Sequence, residues 1–196
     1  MLKELLIKKA LVALAVLGAC LGAQAQSNTY KIDPTHTAAA WEAKHFGVST
    51  NRGRWDKTDG EIVMDKTVRT GRADITIDMS SINTGIAPFN GHLRGPDFFD
   101  VANHPTARFV GEAFKFDGDK LVSVTGNMTI RGKTNPAVLT ATSYGCYENP
   151  RLKREVCGGD FETVVKRSTY GINWGLVEKF TSDDIKVSIQ VEAIKQ

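Results

Sequence analysis

Residues Ile185 to Ala193 run Ile-Lys-Val-Ser-Ile-Gln-Val-Glu-Ala, apolar at every odd position and polar at every even one. The pattern recurs at Ala73, Ile75, Ile77 and Met79 against Asp74, Thr76 and Asp78, and at Val122, Val124, Gly126, Met128 and Ile130. Side chains alternate across a strand, so each segment predicts a half-buried β-strand with one wet face. Antiparallel sheets tolerate a solvated face, whereas parallel sheets require continuous apolar runs. The chain therefore predicts an antiparallel wall, and its function depends on what the wall encloses.

The first 25 residues stand outside that pattern. Lys3, Lys8 and Lys9 precede an apolar run from Ala10 to Leu21, followed by Ala23-Gln24-Ala25, the form of a secretory signal with cleavage before Gln26. The run is short for a bilayer span, which takes ~20 apolar residues. A competing reading makes Leu17-Gly18-Ala19-Cys20 a lipoprotein box, with Cys20 acylated as an anchor. Export to the periplasm is expected either way. Removing the leader leaves 26–196 as one domain with 22 basic and 21 acidic residues, a net charge of +1. That balance argues against a nucleic-acid surface, which needs a concentrated basic face. The one basic cluster, Arg151-Leu152-Lys153-Arg154, is followed by Glu155 and reads as a solvated loop.

Two cysteines remain, Cys146 and Cys157, separated by ten residues. In an oxidising compartment they read as a disulfide closing a surface loop. The alternative, a reactive or metal-binding pair, lacks a nearby His and the spacing of a zinc site. Turn signals punctuate the strands as in an all-β domain of roughly eight strands. They include Asp33-Pro34, Asn51 to Gly53, Asp59-Gly60, the tight Asp117-Gly118-Asp119, and Gly132 to Pro136. Later strands are expected at Phe161–Arg167, Tyr170–Trp174 and Ile185–Ala193. The exception to strand patterning is Ile86 to His104, broken by Pro88, Gly91 and Pro96, where a short helix or two is expected to cross one end of the sheet. Its Phe89, Leu93, Phe98 and Phe99 serve either as a core plug or as the lid of a cavity.

Several motifs in order, among them Tyr30-Lys31-Ile32-Asp33-Pro34-Thr35-His36, Lys44-His45-Phe46-Gly47-Val48, Gly91 to Val101, Gly126 to Gly132 and Arg167 to Trp174, carry a resemblance. The sequence resembles the YceI-like family of periplasmic polyisoprenoid-binding proteins over nearly the whole mature chain. The resemblance implies an all-β antiparallel barrel of roughly eight strands, lipocalin-like in shape, with a short helical segment near 87–104 and a long isoprenoid or similar amphiphile inside. Pro96 before the Asp-Phe-Phe run and the Cys146–Cys157 loop depart from the usual pattern and bear on the shape of the mouth.

Strand parity places Ala39, Ala43, Ala73, Gly111, Ala113 and Gly126 inward, beside Trp41, Ile75, Ile77, Phe109, Met128 and Ile130. Small inward residues leave room, although small and large residues in alternation also fill a tapering core. The expected ligand wall is Trp41, Ala43, Phe46, Ile75, Ile77, Phe109, Val124, Met128 and Ile130, with Phe89, Leu93, Phe98 and Phe99 above it. Trp174 is expected at the barrel bottom, in the core first and on the ligand second. His92, Arg94 and Asp97 are candidate head-group contacts at the mouth. No cofactor is expected apart from a bound isoprenoid lipid or quinone, with transient membrane or membrane-protein contact as the partner interaction.

Catalytic signals are sparse. The four histidines, His36, His45, His92 and His104, show no i,i+4 pair, and no nucleophile elbow, phosphate loop or dinucleotide fingerprint is present. Asp97 and Asp100 read as helix caps ahead of an acid–base pair. Arg167 is expected to pair a carboxylate or to cover an apolar rim with its stem. The reading is a binding or carrier protein. The alternatives are an enzyme acting on the lipid through His45 or His92, and a filled barrel acting through its surface.

Overall fold

A computed structural model of the chain describes residues 27–196, so the leader and its Cys20 alternative lie outside the described residues. Its strands are β1 (Asn28–Ile32), β2 (Ala38–His45), β3 (Ser49–Trp55), β4 (Thr58–Asp65), β5 (Thr70–Asp78), β6 (Ile82–Asn83), β7 (Thr106–Asp117), β8 (Lys120–Ile130), β9 (Lys133–Asn149), β10 (Arg154–Lys166) and β11 (Asp184–Lys195). One helix, α1 (Ala87–Arg94), lies between β6 and β7. All pairings are antiparallel, and β1 returns to β11 to close the ring. The result is a closed eight-strand barrel with one short helix.

Of the three strand segments beyond eight staves, β6 is a two-residue strand pairing with β3, and the other two come from two breaks. Both β1 and β2 lie along β11, with Ile32 opposite Ala193 and Ala38 opposite Gln190, interrupted by the corner at Asp33 to Thr37. Likewise β3 pairs with β2 while β4 pairs with β1. The corner is held by Thr37, whose hydroxyl donates to the Glu192 carbonyl, and by the Asp33–His36 contact at 2.8 Å.

The alternation of β11 holds throughout. Ile185, Val187, Ile189 and Val191 face inward, as do Ala73, Ile75 and Ile77 of β5. Outward side chains pair across neighbouring strands, as in Arg108–Asp74, Arg72–Glu112 and Lys186–Glu162. In β7 and β8 the parity fails at two bulges, one between Gly111 and Ala113 and one between Lys115 and Phe116. An extra residue flips everything that follows to the other face. Ala113 is therefore exposed rather than inward, while Phe114 joins the interior. Gly126 also has a different use from leaving room. A Cβ there would fall 2.0 Å from the Val110 carbonyl oxygen, so its bareness lets β8 approach β7.

Four expected boundaries move, the first being Asp59-Gly60, which lies inside β4 and pairs with β5 instead of forming a turn ahead of β4. Asn51 to Gly53 lies inside β3, and the turn sits at Phe46–Val48 instead. The β8–β9 turn is only Arg131-Gly132, with φ of 50° and 70°, and Pro136 belongs to β9. Tyr170 to Trp174 forms no strand: Arg167–Tyr170 is a 3-10 turn, and an irregular loop follows to Asp183. The cysteine loop is a long hairpin in which Cys146 and Cys157 face each other in the ladder and are joined as a disulfide.

The two barrel ends differ. At the end where β1 begins, Tyr30, Ile32, Met64, Cys157 and Ala193 form a buried plug. The Tyr30 hydroxyl donates to Glu155 Oε1 at 2.6 Å, and Lys66 Nζ donates to Oε2 at 2.6 Å. At the other end α1 and the 167–183 loop cover the strands.

Candidate functional site

The barrel encloses a cavity of about 320 Å³, within the range of small-molecule sites. Its walls come from every stave. Trp41 and Ala43 of β2, Ile75 and Ile77 of β5, Phe109 of β7, and Val124, Met128 and Ile130 of β8 all line it. So do Phe89 and Leu93 of α1 and the following Phe98, Phe99 and Trp174. None of the plug residues Tyr30, Ile32, Met64 or Cys157 is among the lining residues, so the hollow stops short of that end.

Besides Arg108, which pairs with Asp74 on the outer wall, three lining residues are solvent-exposed, His45, His92 and Trp174; they lie at the opposite end and mark the opening. The rings around it form a chain. His92 packs on Phe98 and Trp174 at 4.8 and 5.1 Å, Trp174 on Phe180 at 5.9 Å, and Phe180 on Phe46 at 5.2 Å. Deeper in, Phe89 meets Trp41 and Phe99 meets Trp55, both edge-on. The segment from Ile86 is therefore the lid of a hollow rather than a plug filling it. Pro88 in the first turn fits the start of α1, since its missing N–H is unpaired in that position anyway. Arg94 ties the helix down by donating to the Ser80 carbonyl.

Five expected positions come out differently. Phe46 does not line the cavity; it is 56 % exposed on the rim, because the turn at Phe46–Val48 ends the strand parity that pointed it inward. Trp174 is at the mouth and 41 % exposed, not in the core at the barrel bottom, since the strand assumed there is a loop. Of the head-group candidates only His92 faces the cavity. Arg94 is turned to Ser80, and Asp97 lines a separate outer hollow with Arg131 and Val177. Asp97 and Asp100 cap no helix: the N-cap of α1 is Ile86, and Asp100 instead receives both bonds of the Asn103 amide.

Arg167, expected to pair a carboxylate or to cover an apolar rim, has a role that sequence reasoning missed: it shapes the mouth. Arg167 is 5 % exposed, lines the cavity and pairs with no carboxylate. Its guanidinium donates to the carbonyls of Ser182, Ile172, Trp174 and Thr181, pinning the loop that carries Trp174. Burial pulls its pKa down, and the neighbouring Asp183 carboxylate pulls it part of the way back. Burial alone would raise the Asp183 carboxyl, but hydrogen bonds from Ser168 outweigh it and leave it below the usual range. The absence of regular patterning across 175–183 was the available signal. Thr58 and the indoles of Trp41 and Trp55 also line the wall, each with a buried polar atom that has no protein partner.

Two groups of metal-ligating side chains converge among the described residues, both away from the cavity lining. In one, the sulfurs of Cys146 and Cys157 are spent in the disulfide beside Glu155. In the other, Asp33, His36 and Glu192, the imidazole is bonded to Asp33.

A model of the YceI-like domain matches residues 30–193. The chain belongs to the YceI-like domain family. This YceI-like barrel is 32 % identical to a UPF0312 protein of Pseudomonas aeruginosa (strain LESB58), over 97 % of this chain and 100 % of the relative. Among solved structures it is similar to the YCEI protein of Campylobacter jejuni, at 28 % identity and a TM-score of 0.67, covering 78 % of this chain and 90 % of that one. The same fold occurs in a polyisoprenoid binding domain from Saccharophagus degradans, at 18 % identity and a TM-score of 0.62, covering 85 % and 98 %.

Proposed function

We propose that this YceI-like barrel is a carrier that holds one long-tailed amphiphile, a polyisoprenoid or an isoprenoid quinone, with the tail in the cavity and the polar head at the mouth near His92. The observation that carries the reading is an apolar hollow, sealed at one end and open between His45, His92 and Trp174 at the other. Each buried CH₂ contributes ~0.8 kcal/mol, while association costs on the order of 4–15 kcal/mol. Micromolar binding takes ~8 kcal/mol beyond that cost, so roughly fifteen to thirty buried carbons are needed, which favours a long flexible tail over a compact ligand. The Saccharophagus degradans domain adds that a barrel of this fold binds polyisoprenoid.

The leader-like first residues and the disulfide support work in the periplasm, with cleavage before Gln26. Catalysis has no comparable support. His45 and His92 pack against aromatic rings, and neither enters an ion pair with a described carboxylate.

Organic extraction and mass spectrometry of protein purified from its own host test the proposal. One isoprenoid lipid per chain is expected, released chemically unchanged. The double substitution Ala73→Phe/Ala107→Phe, which puts two rings into the hollow, is expected to abolish the lipid while leaving the folded barrel. A lipid-free native protein, or conversion of added lipid, would overturn the carrier reading.

A further inference from the structure

Val48 and Val177, the two most exposed large apolar side chains among the described residues at 87 % and 90 %, stand at the same end of the barrel. Val48 belongs to the turn after β2, and Val177 to the loop that Arg167 pins. The two segments are tied together: Phe46 N–H donates to the Phe180 carbonyl at 3.0 Å and Ser182 N–H to the Lys44 carbonyl at 2.9 Å. The Phe46 and Phe180 rings join the same crest, which continues through Trp174 to the cavity opening. Exposed apolar side chains that cluster, rather than scatter singly, mark an interaction surface.

Charge sharpens the choice of partner. On the barrel wall cations pair with carboxylates, as in Lys31–Asp59 and Arg108–Asp74. At the mouth end Arg52 and Lys166 also pair with carboxylates, Glu42 and Asp184, but three other cations there spend their hydrogen bonds on neutral oxygens. Lys44 donates to the Thr50 hydroxyl, Arg94 to the Ser80 carbonyl, and Arg131 to the carbonyls of Pro96 and Gly171. Lys179 stands exposed beside Val177, with Asp97 and Glu178 as the exposed acids of the outer hollow.

We propose that this crest docks the barrel, mouth first, on a phospholipid bilayer containing anionic lipid. Val48, Val177 and the Phe46 ring enter the head-group region while Lys44 and Lys179 meet phosphates, as interfacial anchors do within ~5–10 Å of the surface. The proposal rests on the carrier reading, because a cargo with a long apolar tail resides in bilayers before and after transport. Docking at this end lets the tail pass from the acyl region into the cavity without crossing open water.

Flotation of the purified protein with vesicles of phosphatidylcholine and phosphatidylglycerol tests it, beside Val48→Asp/Val177→Asp. A wall control, Val138→Asp/Val164→Asp, alters valines that are also exposed, at 49 % and 62 %. The native protein and the wall control are expected to float, and the crest variant to lose roughly tenfold in partition per valine. Added salt should weaken flotation by screening the cations. Cargo uptake is read separately, as transfer of a fluorescent isoprenol from detergent micelles, which requires no docking. Equal flotation of crest variant and native protein, or none of the native protein, overturns the docking whatever uptake shows. Intact uptake without flotation would point to a protein partner at the mouth. Flotation with no uptake would sink the carrier reading and leave the docking as a property of the surface.

Discussion

Burying a guanidinium is expensive unless its donors are met, and Arg167 meets them with backbone carbonyls from a loop that has no sheet of its own. Arg167→Ala leaves those carbonyls unpaired in a buried place and is expected to cost ~3–5 kcal/mol, measured by urea unfolding. Arg167→Lys should rescue little, because a single ammonium cannot reach the planar set of acceptors. Such a role is hard to read from sequence, since nothing local distinguishes a buried carbonyl-binding arginine from a surface one at a strand end. At the opposite side of the corner between β1 and β2, His36 is bonded to Asp33, which raises the imidazole pKa by hydrogen bond and charge. Burial opposes ionisation of Asp33, yet bonds from Thr35 and His36 hold it below the usual range. A raised His pKa stabilises the fold fully below the unfolded value near ~6.5 and loses that contribution as pH rises through the folded value. The Asp33 contribution is lost in the other direction, as pH falls through its depressed value. The melting temperature of His36→Gln should therefore converge on that of the native protein in alkaline buffer and fall below it near pH ~5.

Strands were legible wherever the ladder is regular. The parity of β11 and β5 placed each inward residue correctly because neither of those strands carries a bulge in its own register. In β7 the same logic failed from Glu112 onward, since one extra residue inverts the faces without leaving a mark in composition. Ala113→Asp is accordingly expected to change stability by less than ~0.5 kcal/mol, while Phe114→Asp costs several, on the order of an unpaired buried charge. Parallel denaturation midpoints of the two variants would check the assigned faces. The Cys146–Cys157 bridge staples the long hairpin near its tip. Cys146→Ser/Cys157→Ser is expected to cost ~3 kcal/mol on the chain-entropy model. Hydrogen exchange should localise the loss to β9 and β10 around the staple and leave the lid unchanged, because the bridge lies at the plugged end.

As a whole molecule the barrel matches the expectation drawn from its alternating segments and its family resemblance, and the interior wall was largely readable. The rim was not, since Phe46, Trp174 and Asp97 sit on turns and irregular backbone where no period fixes direction, and Arg94 is the last residue of α1. Filling the hollow should stabilise the fold by linkage. At a hundredfold excess of free lipid over its dissociation constant the gain is ~2.7 kcal/mol, seen as a rise in melting temperature that the Ala73→Phe/Ala107→Phe variant lacks.

The plug built on Tyr30, Met64 and the Glu155–Lys66 pair shuts one end of the barrel. A chamber with a single doorway admits and discharges by the same path, so whatever slides in first comes out last. Such a vessel cannot serve as a conduit threaded from one side to the other. Under the carrier reading proposed above it unloads before it reloads, one passenger per trip, and its throughput is set by how often it visits each end of its route.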